Sequence, residues 1–137
     1  MTWIMKTFRL EEATALLGTL RPLVCEIVRL RRDLAIGLLE VDAAARMQPD
    51  AGMSGRAATL ANQARVLQAR IARLAEDIQS YGCTLKDIDL GLLDFPAIRS
   101  GQLINLCWKL DEPTIAFWHG MDEGFAARKS LSRRRNQ

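Results

Sequence analysis

The chain has 137 residues, of which 49% are hydrophobic and 26% charged, a composition typical of one globular domain and not of a disordered chain. The net charge is +3, but four basic residues lie among the last nine: Lys129, Arg133, Arg134 and Arg135. Without these four charges the rest of the chain has a net charge of about −1, so it lacks the broad basic face of a dedicated nucleic-acid-binding domain. We therefore predict one α+β domain over residues 1–128 and a basic disordered tail over residues 129–137.

Compartment and membrane association can also be judged from the sequence. No apolar segment approaches the roughly 20 residues that span a bilayer. The N-terminus has no basic segment followed by an apolar one, so we expect no membrane partner and no signal peptide. Cys25, Cys83 and Cys107 are odd in number and lack C-x-x-C spacing. This pattern favours free thiols in a cytoplasmic protein over a disulfide framework or a structural zinc site.

Residues 10–82 have helical periodicity, which predicts a long antiparallel helical hairpin. The first helix begins at Leu10, and Pro22 predicts a kink or a break near Arg21. In the second helix, apolar residues recur at alternating spacings of four and three. They are Leu60, Ala64, Leu67, Ile71, Leu74, Ile78 and Tyr81. This regularity, with an apolar stripe on the first helix that is wider than one partner helix covers, predicts self-association.

Residues 83–119 predict a small three-stranded antiparallel β-meander at the base of the hairpin, followed by a closing loop over residues 120–128. Residues 83–91 indicate an irregular connector or a short strand, and residues 92–98 the first strand of the meander. Two alternating segments flank Asp111-Glu112, which predicts a tight turn between strands.

The registers of this meander decide which side chains share a face. Pairing Leu110 with Pro113 places His119 opposite Ile104. Phe117 then lies on the core face and Trp118 on the outer face, where Trp118 could contact a ligand. A two-residue turn after Arg99 places Asp94 opposite Cys107, whereas a bulge at Gly101 moves Asp94 to the other face. We favour the two-residue turn because it brings Phe95 and Leu106 together inside.

Four segments of the chain form a recognisable set. They are Phe8-Arg9-Leu10-Glu11-Glu12-Ala13, Leu92-Leu93-Asp94-Phe95-Pro96-Ala97, Leu106-Cys107-Trp108, and Phe117-Trp118-His119 through Gly124-Phe125 and Arg128. Together they resemble a bacterial protein family known as domain of unknown function 2203. The resemblance covers nearly the whole chain and implies a fold, but no activity. The chain departs from the family pattern at Arg9, where threonine is usual, at Gly18, where proline is common, and at Asp111 and Ala127, where glycine is common.

His119 is the first candidate for a functional residue. With Asp122 and Glu123 it forms an H-x-x-D-E pattern after a strand, and nitrogen with carboxylate oxygen suits a divalent metal. The alternative is a histidine that bonds backbone at the end of a strand, with Asp122 in an Asx turn. We favour this structural alternative and expect no cofactor, with a divalent metal as the less favoured possibility.

Asp94 and Cys107 form a second candidate pair. A carboxylate beside the thiol would raise the pKa of Cys107, the wrong direction for a nucleophile. Asp94 could form an ion pair with Arg128 or Arg99, or it could act as a general base near His119 in the bulged register.

These observations favour a non-enzymatic interaction or scaffold domain that forms a homo-oligomer or binds a protein partner through the helical hairpin. The alternative is a small enzyme or metal- or anion-binding protein with a site around His119, Asp94, Asp122 and Arg128, in which Arg128 holds an anionic group. We expect the C-terminal tail to bind polyanions weakly and without sequence preference.

Overall fold

Two long helices precede a five-stranded antiparallel sheet in the computed structural model, which describes residues 6–47 and 55–132. The helices are Leu10–Met47 (α1) and Gly55–Gln79 (α2). The strands are Thr84–Asp87 (β1), Leu92–Arg99 (β2), Gln102–Lys109 (β3), Phe117–Gly120 (β4) and Lys129–Ser130 (β5). Their order in the sheet is β1-β2-β3-β4-β5. The predicted α+β class is correct.

The prediction of three strands is wrong, because both ends of the meander gain a strand. In β1, Leu85 pairs with Leu93, so of the two alternatives for residues 83–91, a connector or a short strand, the strand is correct and extends the sheet. In β5, Ser130 pairs with Phe117. The sheet therefore includes the start of the predicted tail, and Leu131 N also donates to Ala116 O at 2.9 Å. Residues 133–137, which hold the arginines of that tail, lie outside the described residues.

The first helix is continuous from Leu10 to Met47 with Pro22 inside it. Of the two alternatives predicted near Arg21, the break is therefore wrong, and the kink stays a prediction. Proline removes one helical hydrogen bond. Leu20, Val24 and Ile27 are fully buried on either side of it, and this packing offsets the loss. None of the helices in the described parts of the chain is long and apolar enough to cross a bilayer.

The helices run antiparallel and pack against each other. Glu26 of α1 accepts a hydrogen bond from Arg70 of α2 at 3.2 Å, and Met47 and Gly55 line the same cavity at the other end of the pair. The inner face of the sheet completes the core. Phe8, just before α1, packs edge-on against Phe95 of β2, with ring centroids 5.3 Å apart.

The β2–β3 turn agrees with the sequence-based expectation. Arg99 pairs with Gln102, and Asp94 lies opposite Cys107. Ser100 and Gly101 both have positive φ, at 52° and 78°, as the tight hairpin turn that matches strand twist requires.

The predicted β3–β4 register is wrong by one residue. Asn105, not Ile104, pairs with His119, and Cys107 pairs with Phe117. The connection is not a two-residue turn, since β3 ends at Lys109 and β4 begins at Phe117. A shift of one residue exchanges the two faces of a strand. His119 and Phe117 therefore share the outer face with Cys107, and Trp118 faces the core.

Candidate functional site

The outer face of the sheet, away from the helices, carries a buried polar cluster. Asp94 of β2, Cys107 of β3 and His119 of β4 are 2%, 0% and 1% exposed. One potential ligand atom from each lies within 4.8 Å of the other two. We call these three residues the buried triad. They come together because the registers of β2, β3 and β4 place all three side chains on one face.

Both ring nitrogens of His119 have partners. Nδ1 lies 2.8 Å from Gly120 O, and Nε2 lies 3.0 Å from Asp94 Oδ1. A carbonyl oxygen can only accept, so Nδ1 carries a proton. The histidine thus bonds backbone at the end of a strand and also joins β2 to β4 across the intervening strand. Asp94 reaches His119 without a bulge at Gly101, so the expectation that this contact needs the bulged register is wrong.

Cys107 is held as a thiol. Burial raises its pKa to about 12, and the nearby negative charge of Asp94 adds to this increase, while Arg128 acts in the opposite direction. The direction agrees with the one expected from the sequence. In its present environment the thiol is therefore neutral near pH 7 and a poor nucleophile.

Arg128 lies beside the triad between two aromatic rings. Its guanidinium carbon is 3.9 Å from the ring centroid of Phe117 and 4.6 Å from that of Phe125. Its Nη2 donates to Glu112 Oε2, so the predicted partner Asp94 is not the one that it binds. The other predicted partner of Asp94, Arg99, lies over the Trp118 ring instead, at 5.0 Å from its centroid. The Arg128 side chain is 9% exposed, and its charge is already matched by Glu112.

Glu112 also fixes the β3–β4 connection. Its Oε1 accepts a hydrogen bond from Lys109 N at 2.8 Å, and its carbonyl accepts one from Trp108 Nε1 at 2.9 Å. Arg21 of α1 donates to the carbonyls of Leu110, Glu112 and Pro113 at 3.3, 3.2 and 2.9 Å. Neither Glu112 nor Arg21 was among the site residues predicted from the sequence. A charged residue in a turn gives little local signal for such contacts.

Asp122 and Glu123 do not join His119 in a ligand set. Among the described residues, the one group of three potential metal ligands is the buried triad. Asp122 is exposed. Glu123 accepts hydrogen bonds from Lys129 Nζ and Gly120 N at 2.8 and 2.7 Å, and the bond from Lys129 is the main cause of its lowered pKa.

Trp118 is not the ligand-facing aromatic that the predicted register suggested. It lies opposite Leu106 on the core side of the sheet and packs against the core. Lys129 Nζ lies 4.7 Å from its ring centroid, so cations already cover part of this ring.

The comparisons with known proteins identify a family. A family model described as "Uncharacterized conserved protein (DUF2203)" matches residues 6–131. Neither the search of curated proteins nor the search of solved structures returns a match. The matched region contains both helices, all five strands and the buried triad. The chain therefore belongs to the DUF2203 family.

Proposed function

We propose that this protein is a non-enzymatic interaction domain whose helical hairpin pairs with a second copy of the chain. The observation that carries the proposal is an exposed apolar patch on α1, formed by Ile36 and Leu39, whose exposed fractions are 58% and 72%. Leu38 is 50% exposed but lies about 160° around the helix from Ile36, so it is not part of this patch. Apolar side chains of this size on neighbouring turns of one helix mark a contact surface more often than isolated ones do.

The spacing and length of the helices support this proposal. Ile36 and Leu39 are three residues apart and lie side by side on a helix surface. Leu34, close by in sequence, is 8% exposed and belongs to the core. The helix α2 runs alongside this part of α1, from Arg70 beside Glu26 to Gly55 beside Met47. One neighbouring helix covers only one side of α1, and the exposure of Ile36 and Leu39 shows that they lie away from it.

The charges around the patch favour an antiparallel second copy. Residues 26–33 carry three arginines against Glu26 and Asp33, and residues 40–46 carry Glu40 and Asp42 against Arg46. The two ends of the patch therefore have net charges of about +1 and −1, and Arg32 and Glu40 are the charges without an ion pair inside the described chain. In a two-fold antiparallel pair centred on Ile36 and Leu39, the basic end of one patch faces the acidic end of the other. This arrangement is isologous and closes on itself, as most homodimers do.

An enzyme around His119, Asp94, Asp122 and Arg128 is the less supported function. Asp94 and His119 are buried, Asp122 is exposed, and Arg128 pairs with Glu112. A general acid or base must reach its substrate within hydrogen-bond distance. A cytoplasmic location remains part of our proposal, supported by the three free cysteines.

Sedimentation velocity over a range of micromolar concentrations tests the proposal. We expect the wild type to shift from monomer to dimer, and the double variant Ile36→Glu, Leu39→Glu to stay monomeric, because charges would be buried at the interface. Val66→Glu is the matched control, since Val66 is 60% exposed on α2 and lies outside the patch. A wild type that remains monomeric, or a control that also loses the dimer, would refute the proposal.

A further inference from the structure

We propose that the buried triad of Asp94, Cys107 and His119 is a binding site for one thiophilic divalent cation, Zn²⁺ in the first place. The three residues lie on three adjacent strands, and their potential ligand atoms are within 4.8 Å of one another. Bonds of about 2.0 to 2.3 Å from a single ion to nitrogen, oxygen and sulfur place such atoms roughly 3 to 4 Å apart. The observed 3.0 Å between His119 Nε2 and Asp94 Oδ1 is within this range. The 4.8 Å limit on all three separations lies above it, so ion binding has to draw the ligand atoms together by up to about 1 Å.

The orientation of His119 is the second observation that points to a cation. Its Nδ1 faces Gly120 O at 2.8 Å, so Nδ1–H is the donor and Nε2 is the nitrogen that faces the triad. In the neutral ring Nε2 carries a lone pair, which would repel the Asp94 oxygen unless a proton or a cation lay between them. Metal-bound histidines are held in the same way, with the second ring nitrogen donating to a backbone carbonyl or a carboxylate.

The charge of the site also suits a divalent cation. When the ion binds, the thiol proton of Cys107 and the proton between Nε2 and Oδ1 pass to the buffer. One thiolate, one carboxylate and a neutral imidazole then carry two negative charges, which the ion balances. The adjacent Arg128–Glu112 pair is itself neutral. Burial of the ion therefore leaves no net charge, which removes the main energetic cost of an ion inside a protein.

The ligand types decide which cation fits. A thiolate with an imidazole selects Zn²⁺, Co²⁺ or Fe²⁺ over Mg²⁺ and Ca²⁺, which prefer sets of oxygen ligands. Three protein ligands leave a fourth tetrahedral position, the arrangement of open zinc sites. The site differs from the H-x-x-D-E set of the sequence analysis, because it takes Asp94 and Cys107 in place of Asp122 and Glu123.

Cobalt titration of the metal-free full chain tests this site, since Co²⁺ reports its own ligands. We expect one Co²⁺ per chain, visible absorption of a tetrahedral centre, a near-ultraviolet thiolate-to-cobalt band, and displacement of Co²⁺ by Zn²⁺ but not by Mg²⁺. Cys107→Ser should lose the thiolate band and weaken Zn²⁺ binding by more than the roughly 10- to 100-fold that loss of a supporting residue causes. Cys25→Ser, which changes an exposed cysteine, is the matched control and should retain both.

Two results would overturn the proposal. One is a wild-type chain that binds neither ion. The other is a Cys107→Ser chain that retains the thiolate band, or a Cys25→Ser chain that loses it, since the cysteine ligand would then lie elsewhere. If Cys107→Ser fails to fold by circular dichroism, the test rests on the wild-type and Cys25→Ser spectra alone. A thiolate band in both supports the site, and its absence from either one rejects it.

Discussion

At the scale of single residues, Asp94 and His119 are the polar pair most deeply enclosed in the described part of the chain. Their side chains are 2% and 1% exposed and meet at 3.0 Å. The strands that carry them are separated by β3, so the pair joins strands that share no backbone hydrogen bonds. Removal of one partner from a buried pair leaves the other partner buried without an opposite charge or a hydrogen bond, which destabilises the fold.

Asp94→Asn should therefore destabilise the protein by about 3 kcal/mol in the presence of a chelator, as expected when one member of a buried pair is lost. Urea unfolding at pH 7, followed by circular dichroism, measures the change. Asp122→Asn, at an exposed position, is the matched control and should change stability by less than about 0.5 kcal/mol. Equal effects of the two substitutions would show that the pair contributes nothing specific.

The sequence predicted some of the candidate residues and missed others for a physical reason. Asp94, His119 and Arg128 were identified because charged or titratable groups interrupted apolar strands or followed them. Glu112 was taken for an ordinary turn residue. Its role depends on Arg128 and on Arg21, which is 91 residues away along the chain, and local patterns do not report contacts at such separations.

At the scale of elements, the β3–β4 connection explains the one-residue error in register. The sequence offered Asp111-Glu112 between two alternating segments, for which a tight turn is the usual solution. Instead, Arg21 of α1 binds three carbonyls of the connection and holds it as a longer loop. The β2–β3 turn was predicted correctly because Ser100-Gly101 sets its geometry locally.

The β4–β5 connection should make stability depend on pH. The Lys129 ammonium lowers the pKa of Glu123 from its ordinary value of 4.5. This contact therefore stabilises the fold above about pH 4.5, and the stabilisation is lost as the pH falls through the lowered pKa. Glu123→Gln should be less stable than the wild type at pH 7, and the difference should vanish in acid. Unfolding at several pH values measures it, and a difference that does not change with pH would contradict the assignment.

At the scale of the whole molecule, the four basic residues among the last nine positions separate into two groups. Lys129 belongs to the sheet and pairs with Glu123 at 2.8 Å. Arg133, Arg134 and Arg135 follow the last described residue, Ser132. The start of the tail predicted from composition was thus too early, because strand pairing at residues 129–130 depends on β4 and is not visible in the local sequence.

We predict weak binding of polyanions by residues 133–137. Three arginines give a slope of about −3 at most for the logarithm of affinity against that of salt concentration. Deletion of residues 133–137 should abolish binding to duplex DNA at low salt. If the truncated protein keeps most of its affinity, the binding surface lies on the body of the protein, and the near-neutral surface inferred from composition is wrong.

Site-specific disulfide trapping tests whether two chains meet antiparallel at the patch of α1. In a Cys25→Ser background, Leu39→Cys places a thiol near the proposed two-fold axis, while Cys83 and Cys107 remain buried. Under mild oxidation we expect Leu39→Cys to form a covalent dimer at micromolar concentration and Val66→Cys, on the exposed side of α2, to stay monomeric. If Leu39→Cys does not cross-link, or Val66→Cys does so equally well, the proposed pairing is wrong.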